Sequence, residues 1–228
     1  QAEPAAVDCA AHALDQQAGP AAGADHQHVP AQPVLVDHRG EVVDGDQMLY
    51  IIASSRRASG RLHGGVVGTL MSNLGLEQAL AAQQVPFRRA NVGDRYVMAM
   101  LQQEGWEVGG ETSGHLLCLD KSTTGDGIVA ALEVLAVVRQ TGKSLADLKA
   151  GMQIFPQTMI NVRMSKRFDL KASAPVQKAL SDVEKELGAN GRVVLRASGT
   201  EPVVRVMIEG RDPALVARLG QQLADTVK

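Results

Sequence analysis

From Val34 onward the apolar positions fall into short runs alternating with longer stretches of helical spacing. Val34-Leu35-Val36-Asp37 reads as a strand, and His38-Arg39-Gly40 as a turn. Asp44-Gly45-Asp46 precedes a helical run from Gln47 to about Ser54. The triplet could bind a metal, but a turn and N-cap is the simpler reading, since nothing nearby completes a coordination shell. Gly65 to Leu70 is apolar and β-branched, as a buried strand is. Leu74 to Gln83 returns to helical spacing, and Phe87 to Val92 is a short strand. Asp94 to Glu104 is helical, with Tyr96, Val97, Met100 and Leu101 on one side. Val108 and Leu116 to Leu119 read as strands flanking a polar loop. Ile128 to Arg139 is an apolar helix opened by Thr124-Gly125-Asp126-Gly127, and a shorter helix capped by Ser144 runs to Ala150. Strands alternating with helices of this length predict an α/β layered domain of βαβ units.

A break near Gly151 to Pro156 ends that pattern. Thr158 to Val162 is a strand, Ala174 to Leu187 an amphipathic helix stopping at Gly188, and Arg192 to Leu195 and Val203 to Ile208 are two strands. Asp212 caps a last helix through Val227. This order suits a small α+β domain with helices on one face of a sheet. The expected division is an atypical segment at 1–33, the tail of a preceding domain at 34–43, an α/β domain at 44–152 and an α+β domain at 153–228.

Residues 1–33 are rich in Ala, Gln, His and Pro and contain no Lys or Arg. They read as poorly ordered or marginally helical. His26 and His28 form a His-x-His pair, which offers too few ligands for a metal site, so biased composition is the simpler account. In the whole chain 45% of residues are hydrophobic and 3% aromatic, so the core must be built of Leu, Val, Ile, Met and Ala. The formal charge is -2 with no basic stripe, which argues against nucleic acid as a partner. No apolar run reaches the roughly 20 residues of a membrane span. Cys9 and Cys118 stand far apart without metal-ligand spacing, and a reduced cytoplasmic chain is the simpler reading.

Two loops carry candidate chemistry. Arg196-Ala197-Ser198-Gly199-Thr200-Glu201-Pro202 lies between the last two strands. Ser198 and Thr200 offer hydroxyls and backbone N–H groups, Gly199 allows close approach, and Arg196 and Arg205 can grip phosphate oxygens in bidentate fashion. On composition alone the segment fits a phosphate loop and an ordinary turn equally. Gly110-Glu111-Thr112-Ser113-Gly114-His115 joins two apolar strands. Its Glu, Ser and His could hydrogen-bond vicinal hydroxyls or an amine, and the His could also meet a phosphate, or they could simply close a polar hairpin with a capping His. Gly93-Asp94-Arg95-Tyr96 opens a helix, where Asp94 opposes an anion and serves better as a cap.

In order and spacing, several segments together resemble the α-D-phosphohexomutases, and within them the phosphoglucosamine mutases. They are Val-Asp-Gly-Asp-Gln at 43–47, Val-Gly-Thr-Leu-Met-Ser-Asn-Leu-Gly-Leu-Glu at 67–77, Val-Gly-Asp-Arg-Tyr-Val at 92–97, Glu-Thr-Ser-Gly-His at 111–115, Thr-Thr-Gly-Asp-Gly at 123–127 and the loop at 196–202. The phosphomannomutase/phosphoglucomutase branch and a non-catalytic phosphosugar-binding fragment are the alternatives. The resemblance covers Val34 to the C-terminus and implies the family's third domain followed by its C-terminal domain, the latter a four-stranded sheet with two helices. It implies that Glu111, Ser113 and His115 form the sugar-binding loop, with Thr112 where this branch often has Asn or Gln. It implies that Arg196, Ser198, Gly199, Thr200 and Arg205 hold the phosphate that is not being transferred.

The implied reaction interconverts glucosamine 6-phosphate and glucosamine 1-phosphate through a phosphoserine and a 1,6-bisphosphate, for UDP-N-acetylglucosamine and peptidoglycan precursor synthesis. Mg²⁺ on an Asp-rich loop would stabilise the transferring group. The segments matching the phosphoserine and the Asp-rich loop do not occur in this sequence, and Gln27 to Pro33 stands where the latter would lie. The expectation is therefore a chain without a metal site, inactive alone, whose residues 1–33 arise from a shifted reading frame or a miscalled start. A hexosamine phosphate is the expected partner, and the sequence says nothing of oligomeric state.

Overall fold

The computed structural model describes residues 33–164, 169–198 and 202–228. The segment with Cys9, His26 and His28, and loop residues Gly199 and Thr200, lie outside them. The chain divides into two units, one formed by residues up to Ser72 and Leu76–Gln153, the other by Asn73–Gly75 and Ile154–Lys228.

The first unit opens with a short hairpin, β1 (Leu35–Val36) paired antiparallel with β2 (Val42–Val43). Between them the Asp37 carboxylate accepts N–H bonds from Arg39 at 2.9 Å and Glu41 at 3.0 Å, which closes the turn. The strand expected over Val34 to Asp37 is present as the two residues of β1. The two-residue β2 was not foreseen, and Leu35 and Val43 both join the core of this unit. Helix α1 (Gly45–Ala58) begins at Asp44 in a reciprocal capping box. The Asp44 carboxylate accepts the Gln47 N–H at 2.8 Å, and the Gln47 side chain accepts the Asp44 N–H at 3.1 Å. The Asp-Gly-Asp triplet is thus a cap, as read from the sequence. Met48, Leu49, Ile51, Ile52 and Ala53 are all buried, so α1 is enclosed nearly all round.

A four-stranded sheet follows, in the order β4 (Phe87–Ala90), β3 (Val66–Thr69), β5 (Val108–Gly110), β6 (Leu116–Cys118). β3 runs parallel to β4 and β5, and β6 returns antiparallel. All four residues of β3 are buried, as expected of a central strand covered on both faces. The crossovers are α2 (Leu74–Ala82) and α3 (Asp94–Glu104). Val97 and Leu101 of α3 are buried, whereas Tyr96 is exposed beside Arg95, whose guanidinium stacks 4.6 Å from the ring. Asp94 is not the cap expected of it. The cap position is Gly93, and Asp94 is the first helical residue. Helix α4 (Gly127–Thr141) is capped by Asp126, and α5 (Leu145–Lys149) by Ser144 in a second capping box, with Asp147. Ile128 and Leu132 of α4 point to solvent one turn apart.

Two ion groups tie this unit together. Arg56 of α1 donates to Asp120 at 2.8 Å and Glu133 at 2.7 Å. Lys149 of α5 reaches Asp37 at 2.8 Å and Glu41 at 2.9 Å, which fastens the opening hairpin to the body of the unit. The Lys149 hydrogen bond draws the Asp37 carboxyl down to about 2.

The second unit contains β7 (Gln157–Arg163), α6 (Ala174–Leu187), a 3-10 turn (Gly188–Asn190), β8 (Gly191–Ala197), β9 (Val203–Gly210) and α7 (Pro213–Val227). The sheet is antiparallel in the order β7, β9, β8. Among the described residues it has three strands rather than the four implied by the resemblance. After β7 the described residues at 169–173 form a turn, in which Asp169 accepts the Lys171 and Ala172 N–H groups, so no further strand forms there. Val204, Val206 and Ile208 of β9 pack against Val176, Val183 and Leu187 of α6 and Val216, Leu219 and Leu223 of α7. The odd-numbered residues of β9 therefore lie on the opposite face of the sheet.

Among the described residues no helix is long and apolar enough to cross a membrane.

Candidate sugar and phosphate sites

In the first unit, β3 sits centrally, its successor β4 on one side and β5 on the other. The chain thus reverses direction between β3 and β5. In open α/β sheets, ligands bind in the crevice at the strand C-termini beside such a reversal. The loops leaving β3 (70–73), β4 (91–93) and β5 (111–115) all emerge at that end.

The β5–β6 loop is fastened from several sides. Glu111 N–H bonds the His115 carbonyl at 3.1 Å, and Gly114 N–H bonds the Glu111 carbonyl at 3.0 Å. Thr112 accepts the Gly45 N–H on its carbonyl at 2.9 Å and donates its hydroxyl to Asp46 at 2.8 Å. Gly45 at the start of α1 must be small. A Cβ there would lie 2.1 Å from the Glu111 carbonyl oxygen and 2.6 Å from the Gly114 nitrogen.

The three candidate residues of this loop differ in setting. Glu111 is partly buried, and one carboxylate oxygen accepts the Gly93 N–H at 3.0 Å. Gly93 has no side chain to cap α3, so Glu111 takes that role, with its negative charge at a helix N-terminus. Ser113 is exposed at the tip of the loop. The Nε2 of His115 is buried without a hydrogen bond among the described residues, 3.7 Å from an Asp94 carboxylate oxygen. Gly125 lies flat on this imidazole, since a Cβ there would be 2.1 Å from Nε2.

Gly93, Asp94 and Gly125 thus surround the loop, although the sequence reading gave none of them a site role. The only signal for them was their place in segments at 92–97 and 123–127 shared with the resembled family.

In the second unit the β8–β9 register sets Arg196 directly opposite Arg205. Both are exposed, on the sheet face away from the helices. Like charges directly opposite on one face repel. Neither guanidinium forms an ion pair with a described residue. Farther along the same face, Arg192 is instead paired with the fully buried Glu209, which also accepts the Gln157 side-chain amide at 2.6 Å and the Leu74 N–H at 3.0 Å. Ser198 begins the loop next to the arginine pair, its N–H bonded to the Val203 carbonyl at 2.7 Å.

Among the described residues no group of three or more His, Cys, Asp or Glu side chains could hold a metal ion. The described residues therefore do not fit a divalent cation.

The chain belongs to the phosphoglucomutase/phosphomannomutase family, because residues 44–155 match that family's α/β/α domain III and residues 159–226 its C-terminal domain. It is similar to the phosphoglucosamine mutase of Methylococcus capsulatus, with 56% identity over 194 residues, covering 85% of this chain and 43% of that protein. It is also similar to the phosphoglucosamine mutase of Legionella pneumophila (strain Lens), at 53% identity with the same coverage. The chain therefore spans under half the length of these relatives.

Among solved structures, the N-acetylphosphoglucosamine mutase of Aspergillus fumigatus, in complex with GlcNAc-6P and magnesium, superimposes with a TM-score of 0.71 at 20% identity, covering 86% of this chain and 49% of that one. A phosphoglucomutase/phosphomannomutase family protein of Burkholderia thailandensis gives 0.68 at 18% identity, covering 87% and 44%. At such identities these likenesses establish the fold.

Proposed function

We propose that this chain holds the substrate for a phosphoglucosamine mutase reaction, the interconversion of glucosamine 6-phosphate and glucosamine 1-phosphate. In this role Glu111 and Ser113 hydrogen-bond sugar hydroxyls, and His115 lies beside them in the same loop. Arg196, Ser198, Gly199, Thr200 and Arg205 hold the phosphate that is not in transfer. Phosphoryl transfer, by way of a phosphoserine and a 1,6-bisphosphate, is assigned to the longer protein that the relatives exemplify. For this chain the assignment is recognition, in the service of UDP-N-acetylglucosamine and cell-wall precursor synthesis.

The observation that carries the reading is the Arg196–Arg205 pair. Two exposed arginines set opposite each other, without a carboxylate partner among the described residues, suit an anion between them, and a phosphate dianion supplies acceptors for both forks. The Glu111 geometry agrees with the sugar role. One carboxylate oxygen is used by Gly93 N–H, which fixes the orientation of the group, and the other oxygen remains to accept a sugar hydroxyl. The preference for glucosamine over mannose or glucose rests on the identity to phosphoglucosamine mutases.

A calorimetric titration of the full chain with glucosamine 6-phosphate, against mannose 6-phosphate and glucose 6-phosphate, tests this. Binding of the glucosamine compound is expected, and Arg205→Ala should weaken it roughly tenfold, the order expected of one charge-assisted contact. An unchanged affinity in that variant overturns the phosphate assignment. A preference for the mannose or glucose compound would move the chain to the other branch of the family.

A further inference from the structure

We infer that Arg163, at the end of β7, is a third phosphate-binding cation of the second unit, outside the loop at 196–202. The inference rests on the phosphate-loop reading above and adds a residue to it. It begins from strand order. β7 precedes β8 and β9 in the sequence by a helix and more, yet it lies against β9, so that β9 is flanked on both sides.

The register sets Arg163 opposite Val203, and Asn161 opposite Arg205. On the other side of β9, Arg196 is opposite Arg205. Ser198 N–H bonds the Val203 carbonyl, so Ser198 continues the Arg163–Val203 row. Two neighbouring cross-strand rows result, Asn161–Arg205–Arg196 and Arg163–Val203–Ser198. Val162 and Val204 are buried in the helix-covered core, so by strand alternation both rows lie on the opposite face, at its exposed end, where Asn161, Arg163, Arg196 and Arg205 are all exposed.

Arg163 stands diagonally across from Arg205, a separation of about 7–8 Å between backbone positions that long side chains readily bridge. It is also at the mouth of the loop, because the next residue, Met164, donates its N–H to the Pro202 carbonyl at 2.8 Å. The β7 end and the exit of the phosphate loop are thus hydrogen-bonded to each other.

Charge bookkeeping on this face singles out the same three residues. Arg192 has its counter-ion in Glu209. Arg163, Arg196 and Arg205 are exposed, and none has a carboxylate partner among the described residues. Three exposed arginines on one face beside Ser198, none with a carboxylate partner among the described residues, suit a dianionic phosphate monoester.

The test is titration of the full chain with glucosamine 6-phosphate, and separately with inorganic phosphate, at several salt concentrations. The proteins are the parent, Arg163→Ala, Arg163→Lys, Arg205→Ala and, as a charge control on the outer face of α6, Lys185→Ala. Arg163→Ala is expected to weaken both ligands roughly tenfold and to flatten the salt dependence, because one fewer cation meets the anion. Arg163→Lys should fall between Arg163→Ala and the parent, and Lys185→Ala should match the parent. Arg163 is exposed at a strand end, so thermal midpoints near that of the parent are expected throughout, and Arg163→Lys keeps the test available should the alanine variant fold poorly. If Arg205→Ala weakens binding while both Arg163 variants match the parent, the inference about Arg163 is overturned and the phosphate loop stands. If neither arginine matters, or the parent binds neither ligand, the phosphate-loop reading falls and this inference with it.

Discussion

At Gly45 an added methyl group would sit 2.1 Å from one backbone atom and 2.6 Å from another, both in the β5–β6 loop. Glycine in a helix normally costs about 0.5–1 kcal/mol relative to alanine, so Gly45→Ala would be stabilising on propensity alone. Here the collision is with backbone that cannot rotate away. Gly45→Ala is expected to destabilise by about 1–3 kcal/mol, the range for overpacking, as read from urea unfolding. It should also weaken sugar binding by displacing Glu111 and Ser113. Asp37 gives a pH-dependent counterpart. Its carboxyl lies at about 2 in the folded chain against an ordinary 3.8, held down by Lys149. A depressed folded value means the stabilisation is complete above the ordinary value and fades as pH falls toward 2. The melting temperature of the parent should exceed that of Asp37→Asn at pH 5 to 7, and the gap should narrow between pH 4 and 2. A gap independent of pH would show that the Lys149 ion pair does not stabilise the hairpin.

Elements with strong local signals were legible from the sequence. α1, α4, α5 and α7 each begin at an Asp or Ser that caps the helix, and α3 and α6 keep the bounds their periodicity predicts. What was not legible depends on contacts distant in sequence. β2 is two residues long and is held by Lys149, more than a hundred residues away. The cap of α3 is a carboxylate 18 residues downstream, so no local pattern announces it and Asp94 was read as the cap instead. The arginines at 196 and 205 could be paired from the sequence because a short loop joins their strands. Arg163 could not, because adjacency of β7 and β9 is a property of sheet order. Glu209 shows how strongly that order is fixed. Its buried carboxylate joins Gln157 of β7, Arg192 of β8 and the Leu74 N–H. Glu209→Ala would remove the shared buried acceptor and should cost about 3–5 kcal/mol, as for a broken buried ion pair. Glu209→Gln should cost less. The urea midpoints of the two variants decide it, and near-parental stability of the alanine variant would mean that the pairing contributes little.

At the scale of the whole molecule, each unit has its own apolar core, one built mainly around α1 and the mixed sheet, the other around β9 and its two helices. Each unit also carries one candidate site, the β5–β6 loop at the reversal point of a mixed sheet and the arginine pair at the exposed end of one face of an antiparallel sheet. These arginines have a consequence for the folded state itself. They stand opposite each other without a carboxylate partner among the described residues, so the proposed ligand would bind the folded state alone, and folding and loading would be linked equilibria. At a phosphate ester concentration of about a hundred times its dissociation constant, the linkage amounts to about 2.7 kcal/mol. Heating the chain with and without glucosamine 6-phosphate should show this as a rise in melting temperature that Arg205→Ala diminishes. The proposed ligand would then contribute to the stability of the fold as well as being recognised by it.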